Sequence, residues 1–207
     1  MEKPAETDYP IHDLLTRRWS PRAFSDQPVP SSILRRLLEA ARWAPSSNNE
    51  QPWRFLLATK EDQTEFTRLL SCLIDGNVRW AQHAPVLLLS TARMTFQESG
   101  NPNRHAFHDV GLAVANLSLE ATALGLFVHQ MAGILPDRAK ELYAIPEEYE
   151  PVTAIAVGYS GDPDHLSERL RKRELATRSR KPLAEFVFSQ RWGDIADIVM
   201  GAEEAGH

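Results

Sequence analysis

The chain has 207 residues, 43% hydrophobic and 25% charged, which is enough for one substantial core and short for two independent domains. A net charge of -5 gives no reason to expect nucleic acid or an anionic membrane as a partner. The single cysteine, Cys72, excludes an intramolecular disulfide and argues against a Cys-built metal site.

The opening stretch "MEKPAETDYP" has no apolar signal region, and no apolar run approaches membrane-spanning length, so the chain reads as a cytoplasmic protein with a tail over residues 1–10. Residues 11–17 have a helical pattern. The run "SSILRRLLEAARWAP" predicts a second helix, with Ser31 or Ser32 as its cap, an apolar face of Ile33, Leu34, Leu37, Leu38 and Ala41, and Pro45 as its stop. "WRFLLAT" reads as a strand, "EDQTEFTRLLSCLID" as an amphipathic helix with Cys72 as a core filler, and "APVLLLSTA" as a buried strand. Residues 96–105 form a polar loop rich in chain-breaking residues. "AFHDVGLAVANLSLEATALG" predicts the longest helix. It is apolar on most sides and must therefore be buried on most sides, in the core or against a second subunit. "LFVHQ" and "VTAIAVGYS" are further strands, separated by the helix "PDRAKELYA". After Gly161 the composition turns basic, with seven arginines and lysines between His165 and Leu183. Helices and strands intermix without regular alternation, which predicts an α+β domain with an extended C-terminal arm.

Two basic clusters stand out in this acidic chain: Arg17, Arg18 and Arg22, and Arg178, Arg180 and Lys181. Each admits a bland reading as solvated charge. The spacing Arg18-x-Ser20-x-Arg22 admits another, because an extended backbone puts alternate side chains on one face. Two guanidiniums and a hydroxyl would then converge, and a phosphate would accept charge-assisted hydrogen bonds worth roughly 1.5–3 kcal/mol each. "APSSNNEQPW", residues 44–53, is either a plain helix-to-strand loop or a loop whose amides and hydroxyls bind a ligand. His129 reads as a structural histidine or as a pocket residue. His105, His108 and Asp109 lack an evident further metal ligand. Trp19, Trp43 and Trp53 read as packing residues, and Phe107 as a residue that could cover a bound ring.

"RRWSPRAF" followed by "APSSNNEQPW", "NVRWAQHAPVLLL", "DVGLAVANLSLEATALGL", "HQMAGI" and "RSRKPL", all in register, resembles the FMN-dependent nitroreductase family over residues 11–188. The resemblance implies a nitroreductase-like α+β fold: a mostly antiparallel sheet surrounded by helices, in an intertwined homodimer with two FMN sites at the interface. Residues 189–207 would be an extension packing on the domain or the partner. Arg18 and Ser20 match positions that hold the phosphate and ribityl end, with Arg178 and Arg180 closing on the phosphate. Arg22 matches a basic residue near flavin N1, and Asn77 an amide that meets the flavin or its ribityl chain. Pro45, Ser46, Ser47 and Asn49 match a loop reaching FMN from the neighbouring subunit. Ala132 and Gly133 match the place where a backbone N–H approaches N5. "QMAGI" lacks the acidic residue that some relatives place beside that glycine, and Trp80 stands where some carry lysine.

The implied activity is ping-pong transfer of electrons from NADH or NADPH through FMN to a nitroaromatic, quinone or activated alkene, with no catalytic side chain required. The same fold and cofactor also admit dehydrogenation, reductive dehalogenation or flavin fragmentation, and a non-catalytic FMN-binding protein is a further alternative.

Overall fold

The computed structural model describes residues 2–200. The chain divides into two compact units, one running to Ala176 and the other beginning at Thr177.

The first unit is built on four strands: β1 (Trp53–Thr59), β2 (Val86–Arg93), β3 (Phe127–Met131) and β4 (Tyr149–Gly158). They form one sheet in the order β1-β2-β4-β3, with every neighbouring pair antiparallel. The helices are α1 (Asp13–Arg17), α2 (Ser31–Arg42), α3 (Gln63–Leu70), α4 (Asp75–Ala81), α5 (Ala106–Ala123), α6 (Pro136–Tyr143) and α7 (Glu168–Leu175). This is the expected α+β architecture.

Alternation along β2 explains the layering. Val86 and Leu88 pack with Leu34, Leu37, Val110, Val114 and Leu117 from α2 and α5. Leu87 and Leu89 face the other way, toward Phe66, Leu69, Trp80 and Ala139 from α3, α4 and α6. A strand covered on both faces needs apolar residues at successive positions, which is why "VLLL" reads as a run. Each such leucine removed from water contributes roughly 1.5–3 kcal/mol.

Several local readings change. Helix α2 starts at Ser31 itself with Pro30 at its cap, so neither serine caps it. Helix α3 is shorter than its amphipathic run suggests; Asp62 caps it by accepting the Glu65 N–H, and Cys72 lies buried in the turn beyond. Trp43 is exposed, held on the surface by Glu39 and Arg42 rather than packed inside. Residues 168–175, which sequence assigns to an extended arm, are helix α7. "ERLRKREL" has no apolar periodicity to announce a helix, and of its residues only Glu174 is buried.

Candidate functional site

The segment after α1 is fastened residue by residue. Arg18 leaves the helix with extended dihedrals (φ -60°, ψ 121°), and alternation begins there. Its Nη1 donates to Ser20 Oγ at 3.3 Å, so the two side chains share a side as their spacing predicts. Trp19 points inward, edge-on to Phe127 at 5.9 Å. The Pro21 carbonyl lies 2.8 Å from His129 Nδ1. The Arg22 and Ala23 N–H groups both donate to the Glu174 carboxylate, at 2.8 and 3.0 Å to Oε1. Phe24 then bridges to Ser160, and Gly161 donates to the Ala23 carbonyl. A Cβ on Gly161 would lie 2.4 Å from the Phe24 carbonyl, so only glycine permits this close pairing.

The guanidinium of Arg22 lies 6.0 Å from the centre of the Trp80 ring. Burial disfavours its charged form, Glu174 opposes that effect, and the neighbouring Arg173 adds to it. Trp80 is itself fully buried, stacked on Phe24 at 6.4 Å and tilted against the His129 ring at 4.5 Å. Burial lowers the His129 pKa to about 4; the Pro21 carbonyl works against that shift and the Arg22 charge reinforces it. A carbonyl only accepts, so the neutral ring carries its proton on Nδ1.

Helix α4 joins this group to a second one. Asn77 and Trp80 are three residues apart and share a face. Asn77 Nδ2 donates to the Gly133 carbonyl at 3.0 Å, and the Ile74 N–H donates to the same oxygen at 3.2 Å. With its carbonyl turned inward, Gly133 has an N–H that makes no hydrogen bond among the described residues. A Cβ here would lie 2.5 Å from Ile74 Cδ1 and 2.7 Å from Asn77 Nδ2, so any other residue would have to displace one of those side chains. Ala132, just beyond β3, accepts the Ile134 N–H and is exposed.

The residues 45–49 loop belongs to the other face of the sheet. Its Ser47 N–H donates to Asp109 Oδ2 on α5 at 3.1 Å, and Ser46 Oγ accepts the Gln51 N–H. Asn48, Asn49 and Gln51 all have left-handed φ, between 51° and 56°. Asparagine tolerates that region better than most residues, which accounts for the "NN" pair. Within one chain, Pro45, Ser46, Ser47 and Asn49 are thus tied to α5, whereas Arg22, Asn77 and Gly133 gather on the α4 side.

The nitroreductase family model matches residues 15–159. The chain belongs to the nitroreductase family. A crystal structure described as an oxidoreductase containing FMN is 37% identical, covering 91% of this chain and 96% of the other with a TM-score of 0.86. A Desulfovibrio desulfuricans structure in complex with FMN is 26% identical, with a TM-score of 0.68 over 89% of this chain and 99% of that one. The FMN reductase [NAD(P)H] of Bacillus subtilis (strain 168) is 26% identical over 174 residues, 75% of this chain and 68% of its own.

In this nitroreductase the remaining predicted positions fall as follows. Arg178 and Arg180 lie in the second unit, where Arg180 Nη1 donates to the Ser179 carbonyl at 2.7 Å. Burial, followed by the Arg180 charge, disfavours the charged form of Arg178. The same unit contains a Lys181–Glu185 ion pair of 3.1 Å and a bridge between Phe188 and Ile195. Among the described residues, no three acidic, histidine or cysteine side chains are grouped to hold a metal, and no helix is long and apolar enough to cross a membrane. Cys72 is buried, which pushes its thiol pKa up and makes it a poor nucleophile.

The donor set suits FMN. Arg18 and Ser20 offer a cation and a hydroxyl on one side of an extended segment, Arg22 offers a half-buried cation, and Gly133 offers an unpaired backbone N–H. The buried acid beside these residues that sequence reasoning missed is Glu174, which accepts the Arg22 and Ala23 N–H groups. A glutamate in a run of charges carries no signal that it is the buried member.

Proposed function

We propose that the protein is an FMN-dependent NAD(P)H oxidoreductase working as a homodimer, and that its acceptors are electron-poor molecules such as nitroaromatics, quinones or activated alkenes. The observation that carries this reading is the junction at α4. One helical turn brings the Arg22–Trp80–His129 group beside the Asn77–Gly133 group, putting a cation and an unpaired N–H on the same side of the sheet. FMN, when bound, supplies the hydride-transfer chemistry. Arg18 and Ser20 hold its phosphate and ribityl end, and Arg22 stabilises negative charge at the pyrimidine edge. The Gly133 N–H, with Ala132 before it, meets the N5 edge, and Asn77 keeps that glycine in place. No side chain needs to act as a nucleophile, and the neutral, hydrogen-bonded His129 is a buttress for Trp80 and Pro21.

The homodimer supplies the remaining parts. Helix α5, half of whose residues are buried, leaves Phe107, Gly111, Ala115 and Ala123 exposed along one stripe, and a second copy covers it. The residues 45–49 loop, fixed to α5, then reaches the partner's flavin.

The test is anaerobic reduction of the FMN-loaded protein by NADH and by NADPH, followed by steady-state turnover with a panel of nitro compounds and quinones. Parallel double-reciprocal lines for donor and acceptor are expected. A loaded protein that neither nucleotide reduces, or intersecting lines, would overturn the reading.

A further inference from the structure

Glu174 is a charged side chain 1% exposed, on a helix whose other residues are exposed except for Leu170, which is half-buried against the core. Such burial is costly unless every lone pair is used. Here the carboxylate accepts the Arg22 N–H through both oxygens, at 2.8 and 3.0 Å, and the Ala23 N–H through Oε1 at 3.0 Å. The same helix end is held from outside: Lys3 Nζ donates to the carbonyls of Glu174 and Ala176 at 2.6 and 2.5 Å while lying over Trp19 at 4.9 Å. The carboxylate is thus held by the Arg22 and Ala23 N–H groups, and the backbone that carries it by Lys3. It clamps the backbone of Arg22, whose guanidinium lies over Trp80, and its charge interacts with that guanidinium.

Building on the assignment of Arg22 to the flavin's pyrimidine edge, we infer that Glu174 is a positioning residue of the cofactor site. It fixes the Arg22 backbone through two hydrogen bonds, and its buried negative charge offsets part of the positive field that Arg22 presents to the flavin. Two consequences separate. The hydrogen bonds set where Arg22 stands, and the charge sets how strongly reduction is favoured.

Glu174→Gln removes the charge and keeps Oε1, which accepts both N–H groups, while its NH2 replaces the second, longer acceptor of the Arg22 N–H. The flavin midpoint potential of the loaded Glu174→Gln protein should shift positive, because Arg22 is no longer offset, while FMN affinity changes by less than about threefold. Arg22→Ala should shift the potential negative, opposite in sign. Glu174→Ala loses the clamp as well and should bind FMN about tenfold more weakly or worse. A Glu174→Gln potential that is unchanged or more negative, beside a negative shift in Arg22→Ala, would overturn the role of Glu174 and leave the Arg22 assignment standing. No shift in Arg22→Ala would overturn that assignment and this inference with it. Should Glu174→Ala fail to fold, the Gln variant decides alone, with circular dichroism and thermal melting as its check on structure.

Discussion

His129 and Pro21 are joined by a 2.8 Å hydrogen bond between a ring nitrogen and a backbone carbonyl, across 108 residues of sequence. That bond ties the arginine-bearing segment to β3, and it also fixes the tautomer of a histidine whose other side packs on Trp80. The bond itself would survive protonation, since an imidazolium also donates from Nδ1; the packing of the segment depends on a neutral ring because burial disfavours its charge.

That dependence sets a pH response. The folded pKa of about 4 lies below the ordinary histidine value of about 6.5, so below pH 6.5 the unfolded chain binds a proton that the folded one refuses. The stability contribution of His129 is complete above about pH 6.5 and is lost as the pH falls toward 4, by up to about 1.4 kcal/mol per pH unit. His129→Asn keeps a donor near the Nδ1 position and cannot titrate. Urea midpoints measured from pH 7.5 to 4.5 should fall less steeply for this variant than for the parent, and equal slopes would contradict the assignment.

Gly133→Ala tests the packing reason for the glycine. The added methyl meets Ile74 Cδ1 and Asn77 Nδ2, and the first is the end of a side chain that can shift while the second is held by its own hydrogen bond. Relieving the contact by displacing Asn77 breaks that bond to the Gly133 carbonyl. Overpacking of this kind costs about 1–3 kcal/mol. Thermal unfolding should report a loss in that range even without FMN, because the conflict is between protein atoms. A variant as stable as the parent would show that the turn relaxes freely.

Asp109 anchors the residues 45–49 loop from α5 and is 2% exposed. Asp109→Ala removes the acceptor of the Ser47 N–H and leaves a loop already holding Asn48 and Asn49 in left-handed conformations. The expected loss is about 1.5–3 kcal/mol, the range for a hydrogen bond to a charged group, with the half-buried Ser47 N–H placing it at the low end. Protease nicking confined to residues 45–52 should rise in the variant. Unaltered nicking would mean that the backbone geometry, and not Asp109, holds the loop.

The legibility of these features in the sequence follows from their physics. β1, β2 and α5 were readable because burial on one or both faces leaves a periodic or continuous apolar record, as in "WRFLLAT" and "VLLLSTAR". The pairing of Arg18 with Ser20 was readable because alternation is local. Helix α7 was not, since a helix exposed nearly all round leaves no apolar stripe. Glu174 was not, since its partners, the N–H groups of Arg22 and Ala23, are 152 and 151 residues away and carry no side-chain signature. The hub role of Trp80 emerges only when Phe24, His129 and Arg22, from three separate segments, arrive around one ring.

The pairing of Arg18 with Ser20 gives the last prediction. If both hold the FMN phosphate and ribityl end, the guanidinium supplies charge and a directed fork while the hydroxyl aligns it. Arg18→Ala removes a charge-assisted hydrogen bond worth roughly 1.5–3 kcal/mol, so FMN should bind about tenfold to a hundredfold more weakly. Arg18→Lys keeps the charge, yet its three ammonium donors radiate from one nitrogen and lack the planar fork that can meet Ser20 and a phosphate oxygen together, so it should recover only part of the loss. Ser20→Ala should cost less than Arg18→Ala, and the double variant should lose less than the sum of the two, since each residue acts partly through the other. Titration of apoprotein with FMN, followed by the quenching of flavin fluorescence, measures all four. Strict additivity would show that the 3.3 Å contact between them plays no part in holding the cofactor.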